Sequence, residues 1–218
     1  DGTATDTATI TITITGVNDA PVATNDTGSV NEDATLSVSN GSGDIIDNND
    51  TDADDSASLV VSAVRIGGVE GSGNAGTVGQ ALTGTYGQLT LNANGSYSYV
   101  ANQDAADDLD ASDQVTDVFN YTLSDGTATD TATITITVTG INDAPVADNE
   151  TGAVNEDATL TVTDGTSDVL HGDTDADDSA SLTVSAIRTG AEDGSGTSGS
   201  IGSGLTGTYG TLTLASDG

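Results

Sequence analysis

Asp50-x-Asp52-x-Asp54 and, further along the chain, Asp173-x-Asp175-x-Asp177 place carboxylates at every second residue of a short polar loop. Alternate spacing of this kind lets several oxygens converge on one hard cation, and calcium, with roughly six to eight oxygen ligands, is the natural choice. Asp55 and Asp178 follow directly and either complete the shell or cap the loop. An EF-hand loop opens the same way, but its glycine position holds Asp55 or Asp178 here and its final ligand position holds Val61 or Val184, so that motif fails. The other oxygen-rich candidates are Glu32-Asp33 and Glu156-Asp157, just before expected strands, and Asn18-Asp19 and Asn142-Asp143, just before Pro21 and Pro145.

Each group occurs twice because the chain repeats itself. Gly16-Val17-Asn18-Asp19-Ala20-Pro21-Val22-Ala23 returns as Gly140-Ile141-Asn142-Asp143-Ala144-Pro145-Val146-Ala147, and Asn31-Glu32-Asp33-Ala34-Thr35-Leu36 returns as Asn155-Glu156-Asp157-Ala158-Thr159-Leu160, an offset of about 124 residues. The aspartate loop returns one residue earlier, so a deletion lies before it. Residues 1–16 are expected to be the last strand of a preceding repeat, 17–140 a complete repeat and 141–218 an incomplete following one. A repeat of that size falls in the usual range of a domain.

The formal net charge is -33, from 35 acidic residues against Arg65 and Arg188. Nucleic acid and anionic membranes are excluded as partners by that balance. Two carboxylates about 5 Å apart at an effective dielectric near 20 repel by roughly 3 kcal/mol, so crowded acidic loops call for a counter-charge. A solvated acidic surface is the plainer alternative. With no Cys in the chain, neither disulfides nor thiolate metal sites are available, and oxygen ligands remain. No apolar run approaches the roughly 20 residues of a membrane span, and any targeting signal is expected outside this stretch.

Thr7-Ala8-Thr9-Ile10-Thr11-Ile12-Thr13-Ile14-Thr15 and its copy Thr131 to Thr139 alternate strictly, with β-branched residues throughout, and predict strands with one apolar face and one threonine face. Val118 to Leu123 alternates before Asp125-Gly126, a hairpin turn signal, and Gln88 to Leu91 with Ser96 to Val100 flanks a second at Asn94-Gly95. Shorter strands are expected at Ala34 to Val38 and at Leu59 to Val64, the latter with Leu59, Val61 and Ala63 on one face. Gly67 to Leu82 reads as a mobile surface loop, and Asp104 to Asp113 as a solvated acidic face with room for one helical turn. Short strands punctuated by Gly, Asn and Asp predict an all-β sandwich.

Asn18-Asp19-Ala20-Pro21-Val22, Glu32-Asp33-x-x-Leu36, Asn49-Asp50-Thr51-Asp52-Ala53-Asp54, Gly87-x-Leu89-Thr90-Leu91-x-x-x-Gly95-x-Tyr97-x-Tyr99 and Phe119-x-Tyr121-Thr122-x-Ser124-Asp125-Gly126 occur in that order. With these motifs the chain resembles the VCBS-type, cadherin-like tandem repeats of large secreted bacterial adhesins, including those of the RTX, type I-exported kind. The resemblance covers 17–140 and all of the partial copy. It implies an immunoglobulin-like β-sandwich, repeated in extracellular or cell-surface proteins that mediate adhesion and biofilm formation, with calcium stiffening the junctions. On this reading Asp19, Glu32, Asp52 and Asp54 share calcium at the 16–21 junction, and Asp143, Glu156, Asp175 and Asp177 repeat the arrangement at the next. The chain departs from the animal cadherin linker pattern D-x-N-D-N-x-P: Gly16 stands where the first Asp would be, and the second Asn is missing. On the residues alone, Glu32-Asp33 serves equally well as a turn and Asn18-Asp19 as an Asx-turn before Pro21.

Catalysis has little to stand on. His171 is the only histidine, its counterpart is Asp47, and no Ser nucleophile has a base in reach that both copies keep. The sequence therefore reads as a non-enzymatic extender segment of a surface adhesin, its partners being adjacent repeats of the same chain. Two rivals remain at this stage. One is a filament or sheath subunit in which residues 1–16 of one chain complete the 141–218 unit of an identical chain by strand addition. The other is a glycan- or ice-binding repeat that uses the threonine ladder of Thr9, Thr11, Thr13 and Thr15.

Overall fold

Alternating Thr and Ile gives a strand only where neighbours exist to cover the isoleucines, and one copy of the motif has them. The computed structural model describes every residue except 1, 42, 48, 55, 56, 164, 166, 178 and 193. Within it the sandwich comprises β1 (Asp26–Asn31), β2 (Thr35–Val38), β3 (Val60–Ile66), β4 (Ala81–Thr83), β5 (Gln88–Leu91), β6 (Tyr97–Val100), the helical turn α1 (Asp104–Asp107), β7 (Gln114–Ser124) and β8 (Thr129–Thr139). One sheet runs in the order β1-β8-β7-β3 and the other β2-β6-β5-β4. Both expected hairpins form, β5 with β6 and β7 with β8, each antiparallel.

Period-2 patterning builds the core as expected for two facing sheets. Leu89, Leu91, Tyr97 and Tyr99 of one sheet meet Phe119, Tyr121, Leu123, Ala132, Ile134, Ile136 and Val138 of the other, all buried. Tyr99 and Phe119 meet edge to face, centroids 6.3 Å apart. Complete burial of an isoleucine or leucine contributes about 1.5–3 kcal/mol, so β8 alone brings several kcal/mol to the sheet it joins.

Three features depart from the sequence expectations. β1 was not visible as a strand, because Gly28 and Asn31 dilute its pattern; it pairs with β8 in parallel, Asp26 opposite Ile134 and Asn31 opposite Thr139. Along β3 the register with β7 shifts between Val61 and Ala63, so Val61 and Val64 face the core and the expected Leu59-Val61-Ala63 face is broken. Such a bulge places two residues against one and resets the alternation. The expected mobile loop is pinned: Asn120, buried in β7, donates to the Gly67 and Ser72 carbonyls and accepts the Gly71 amide. The Ile66 and Gly76 amides add backbone bonds to the Asn74 and Val64 carbonyls.

Outside the sandwich, residues with the same strand patterns stay unpaired. Residues 7–15 belong to no strand, and Ile10, Ile12 and Ile14 are 80–90% exposed. Among the described residues of the C-terminal segment, β9 (Ile187–Arg188) pairs with β10 (Ser198–Gly199) and β11 (Leu205–Thr206) with β12 (Thr211–Leu212), two residues each, and Val146 bridges Thr174. A strand is stabilised by its cross-strand partners, and among the described residues these stretches have none.

Candidate metal centre

Each aspartate loop is fastened to its linker by the same set of bonds. In the first copy Val22 and Thr51 exchange both backbone bonds, the Asp19 amide donates to Asp54 Oδ2 at 3.0 Å, and the Asp54 amide donates to Asp52 Oδ1 at 2.8 Å. In the second, Val146 and Thr174 exchange theirs, the Asp143 amide donates to Asp177 Oδ2 at 3.1 Å, and the Asp177 amide to Asp175 Oδ1 at 3.1 Å. The alternate spacing thus folds into an Asx-type turn closed by the Asp52 and Asp175 carboxylates. Pro21 and Pro145 keep the linkers extended as they enter. Asn18 donates to the Asp19 carbonyl and to Asp125 Oδ2, tying the first linker to the β7–β8 turn, and Asn142 donates to the Asp143 carbonyl.

The parallel pairing of β1 with β8 carries Glu32 to the far end of the sandwich. There the Glu32 amide donates to the Thr139 carbonyl, and Glu32 Oε1 accepts from the amide of Ile141 as the chain leaves β8. Glu32 is therefore grouped not with Asp19, Asp52 and Asp54, as the resemblance implied, but with Asp143 and Asp177 of the following linker and loop. Asp33 holds a positive φ of 57° and its amide donates to the Ala101 carbonyl, so the β1–β2 turn is pinned against the segment that leads into α1. α1 in turn brings Asp107 to face Asp33 and Asp143. Asp110, just beyond, accepts the Ser179 amide at 3.2 Å and its hydroxyl, a direct contact between the sandwich and the next aspartate loop. The expected solvated face at 104–113 is thus part of the junction.

Among the described residues, three buried carboxylate oxygens have no hydrogen-bond partner: Glu32 Oε2, Asp52 Oδ2 and Asp177 Oδ1. Glu32 is only 2% exposed. Burying an ionised oxygen without a partner is costly, and native structures leave few such groups. Burial first, then the charges of Asp143, Asp177 and Asp33, push the Glu32 carboxyl above the ordinary glutamate range, against the lowering effect of the Ile141 amide. Asp107 is raised by burial and then by Asp33, Asp143, Asp104 and Asp108. A hard divalent cation bound between Glu32, Asp143 and Asp177 would satisfy the orphaned Glu32 and Asp177 oxygens and offset the repulsion among these carboxylates. Glu32, Asp143, Asp175 and Asp177 would hold it, with Asp33 and Asp107 alongside; Asp52, Asp19 and Asp54 would make the corresponding half-site at the first linker.

A pH dependence follows with opposite signs in the two conditions. For a carboxyl whose folded pKa exceeds its unfolded value, the stabilising contribution is complete below the unfolded value and is lost as pH rises through the folded one. Metal-free protein is expected to gain melting temperature as pH falls through the range just above the ordinary glutamate value, whereas calcium-loaded protein loses its calcium increment over the same range because protons compete for the ligands. Thermal melts in chelator and in calcium across this range check it; a chelated protein that loses stability on mild acidification contradicts the assignment.

Other candidate residues lie elsewhere. Asp50 turns into its own sandwich: Oδ1 accepts the Thr24 amide and hydroxyl, and Oδ2 lies 3.3 Å from the Tyr121 hydroxyl, which also reaches Asp26 Oδ2 and the Thr24 carbonyl. Asp173 accepts the Asp148 amide at 2.9 Å and converges with Asp148 and Glu150, whose three oxygens lie within 4.8 Å of one another. Repeat register maps that trio onto Thr24, Asp26 and Asp50, where Tyr121 provides the hydroxyl. Glu156 and Asp157 are exposed, away from Asp143, Asp175 and Asp177, in a turn that copies Glu32-Asp33 down to the positive φ of 62° at Asp157. Asp55 and Asp178 lie outside the described residues. His171 is exposed in a turn, and Tyr97 and Tyr99 are core residues. Sequence reasoning missed Asp107 and Asp110. The one available signal was their place directly before a strand whose partner, β8, ends at the linker.

An all-β sandwich whose far end and following linker share an acidic site is the architecture of a tandem structural repeat. The chain belongs to the bacterial cadherin-like domain family, whose model matches residues 18–140. Among solved structures, the crystal structure of human CDH23 EC21-23 aligns at 14% identity with a TM-score of 0.39, covering 91% of this chain and 56% of that one. The chain thus spans little more than half the length of that structure. A search of curated proteins finds no match. Membership in the family fits a structural, non-enzymatic, adhesion-type repeat of an extracellular or cell-surface protein. No helix among the described residues is long and apolar enough to cross a membrane.

Proposed function

We propose that this chain is an extender segment of a secreted bacterial surface adhesin, with one complete repeat at 17–140 flanked by parts of two others, and that calcium stiffens the junctions between repeats. The observation that carries the reading is Glu32: a buried carboxylate with one orphaned oxygen, held at the exit of one repeat and facing carboxylates of the next linker and loop. Only a group that binds both sides at once gives that placement a purpose. Extracellular calcium modules bind at about 0.1–1 mM, so the junction fills outside the cell and stays empty within it. The chain is then loose during export and stiff once exposed, and holds an adhesive end away from the cell surface, as biofilm formation requires.

Calcium titration by calorimetry, paired with small-angle scattering, tests the reading. Millimolar calcium is expected to release or absorb heat with saturable stoichiometry and to narrow the distribution of distances between the sandwich and the C-terminal segment. A chain that shows neither heat nor a change in scattering at several millimolar calcium is not a calcium-stiffened spacer.

A further inference from the structure

The complete repeat carries two Asn-Gly pairs, Asn40-Gly41 and Asn94-Gly95, and the following copy has Asp-Gly at both places, Asp164-Gly165 and Asp217-Gly218. An asparagine followed by glycine is open to attack on its side-chain carbonyl by the next backbone nitrogen, because glycine has no Cβ to hinder the approach. The attacking nitrogen must lose its proton and the departing one must gain it. In that respect the two pairs differ.

In the β5–β6 turn the Gly95 amide donates to the Asn92 carbonyl at 3.1 Å, an acceptor that does not carry a proton away, and Asn94 Oδ1 accepts from the Ser96 amide and hydroxyl. Gly95 is buried, and a Cβ there would fall 2.9 Å from Asp44 Oδ1. The Gly41 amide donates instead to a carboxylate, Asp44 Oδ2, at 2.8 Å. The Asn40 amide lies 3.2 Å from that same oxygen and 2.7 Å from the Asn94 carbonyl, two acceptors, so its nitrogen is the atom that points there. One carboxylate oxygen thus touches both the nucleophilic and the departing nitrogen. Asp44 is 1% exposed and held in place, since Oδ1 accepts the Ile46 and Asp47 amides at 2.9 and 2.8 Å. Asn40 is open to solvent, and nothing lies within 4 Å of where a Gly41 Cβ would stand, which leaves room for a ring.

We propose that Asn40 is a self-modification site, converted through a cyclic imide to aspartate or isoaspartate with Asp44 as the proton shuttle. The Gly41 nitrogen bonds to Asn40 Cγ and its proton passes to Asp44 Oδ2; the same proton goes on to the Asn40 amide nitrogen as the Cγ–N bond breaks, and ammonia leaves. Water then adds to either carbonyl of the ring and opens it, so the balance is one water in and one ammonia out. Fixed proximity of nucleophile and shuttle is what accelerates such a step. The product places a carboxylate where an NH2 group donated to Asp44 and to the Asn94 carbonyl, and so loosens the 40–47 loop from the β5–β6 turn. The next copy carries an acid at this place from the start, and there the Gly165 amide again donates to Asp168.

Asn94 is a built-in control, because both asparagines precede glycine and react at similar rates once the chain is unfolded. The whole chain is incubated at neutral pH in chelator, folded and in concentrated urea, and peptide mapping by mass spectrometry follows the gain of about 1 Da at each asparagine. In the folded chain Asn40 is expected to react at least tenfold faster than Asn94 and faster than Asn40 in urea. Asp44→Asn, which keeps an oxygen for the Gly41 amide but takes no proton, is expected to bring Asn40 down to the urea rate or below. Folded Asn40 that reacts no faster than in urea overturns the proposal, because the Gly41 hydrogen bond then protects rather than activates; this comparison decides even where Asp44→Asn fails to fold. A folded Asp44→Asn chain that reacts as fast as the unsubstituted one overturns it equally.

Discussion

Glu32→Gln reverses its effect on stability when calcium is added. In chelator the variant is expected to melt a few degrees above the unsubstituted protein; in millimolar calcium it is expected to melt below it, with calcium affinity reduced tenfold or more. The carboxamide keeps the oxygen that accepts the Ile141 amide, so the exit of β8 stays in place. What changes is the orphaned oxygen, replaced by an NH2 group that donates toward a neighbourhood containing Asp143 and Asp177. Without metal, removing one buried like charge relieves repulsion of roughly 3 kcal/mol per close pair at an effective dielectric near 20, less whatever solvent screens. With metal, a strong anionic ligand is gone, and a tenfold loss in affinity corresponds to about 1.4 kcal/mol. Paired melts and calorimetry read both signs from one variant. Destabilisation in chelator as large as in calcium would make Glu32 a turn residue and nothing more.

Asp117→Ala is expected to cost roughly 3 kcal/mol or more, equally in chelator and in calcium. Asp117, almost fully buried in β7, accepts the Thr85, Tyr86 and Gly87 amides at 2.9–3.2 Å and the Tyr99 hydroxyl at 2.6 Å. The carboxylate thereby fixes the β4–β5 turn onto the opposite sheet, and Gly84 is confined by it, since a Cβ there would fall 2.3 Å from Asp117 Oδ2. Removing the acceptor strands several buried donors at about 1–3 kcal/mol each, softened by relaxation of the turn. For a domain of this size the melting temperature should fall by roughly 10 °C. The Tyr99 hydroxyl, whose ionisation is pushed upward by burial and then by Asp117, stays a proton donor throughout. Guanidinium unfolding in calcium and in chelator checks the prediction, and calcium-dependent rescue of the variant would contradict it.

The hairpins, the two-layer core and the repeat itself were legible because period-2 alternation and Asn-Gly or Asp-Gly turns are local signals. Ile134, Ile136 and Val138 could be placed inside from neighbours two residues away. The aspartate loops were equally legible as a constellation, since Asp52 and Asp54 adopt a turn closed by bonds within a few residues. Asn120 and Asp117 were not: both are polar side chains inside an alternating strand, and their partners lie 18–53 residues away in sequence.

By itself the sequence determined which stretches are able to be strands, where acidic oxygens crowd, and that both facts recur along the chain. Only the tertiary structure decided which strands form and which acids meet. The Thr/Ile motif at 131–139 is core because β1 and β7 flank it, and such partners are not carried within the strand itself. Glu32 lies at the exit of its repeat rather than the entrance because β1 runs parallel to β8, and a parallel partner delivers its end residue to the same edge of the sheet. Pairing direction is a long-range choice that no local periodicity encodes, and here it fixes which carboxylates face Glu32.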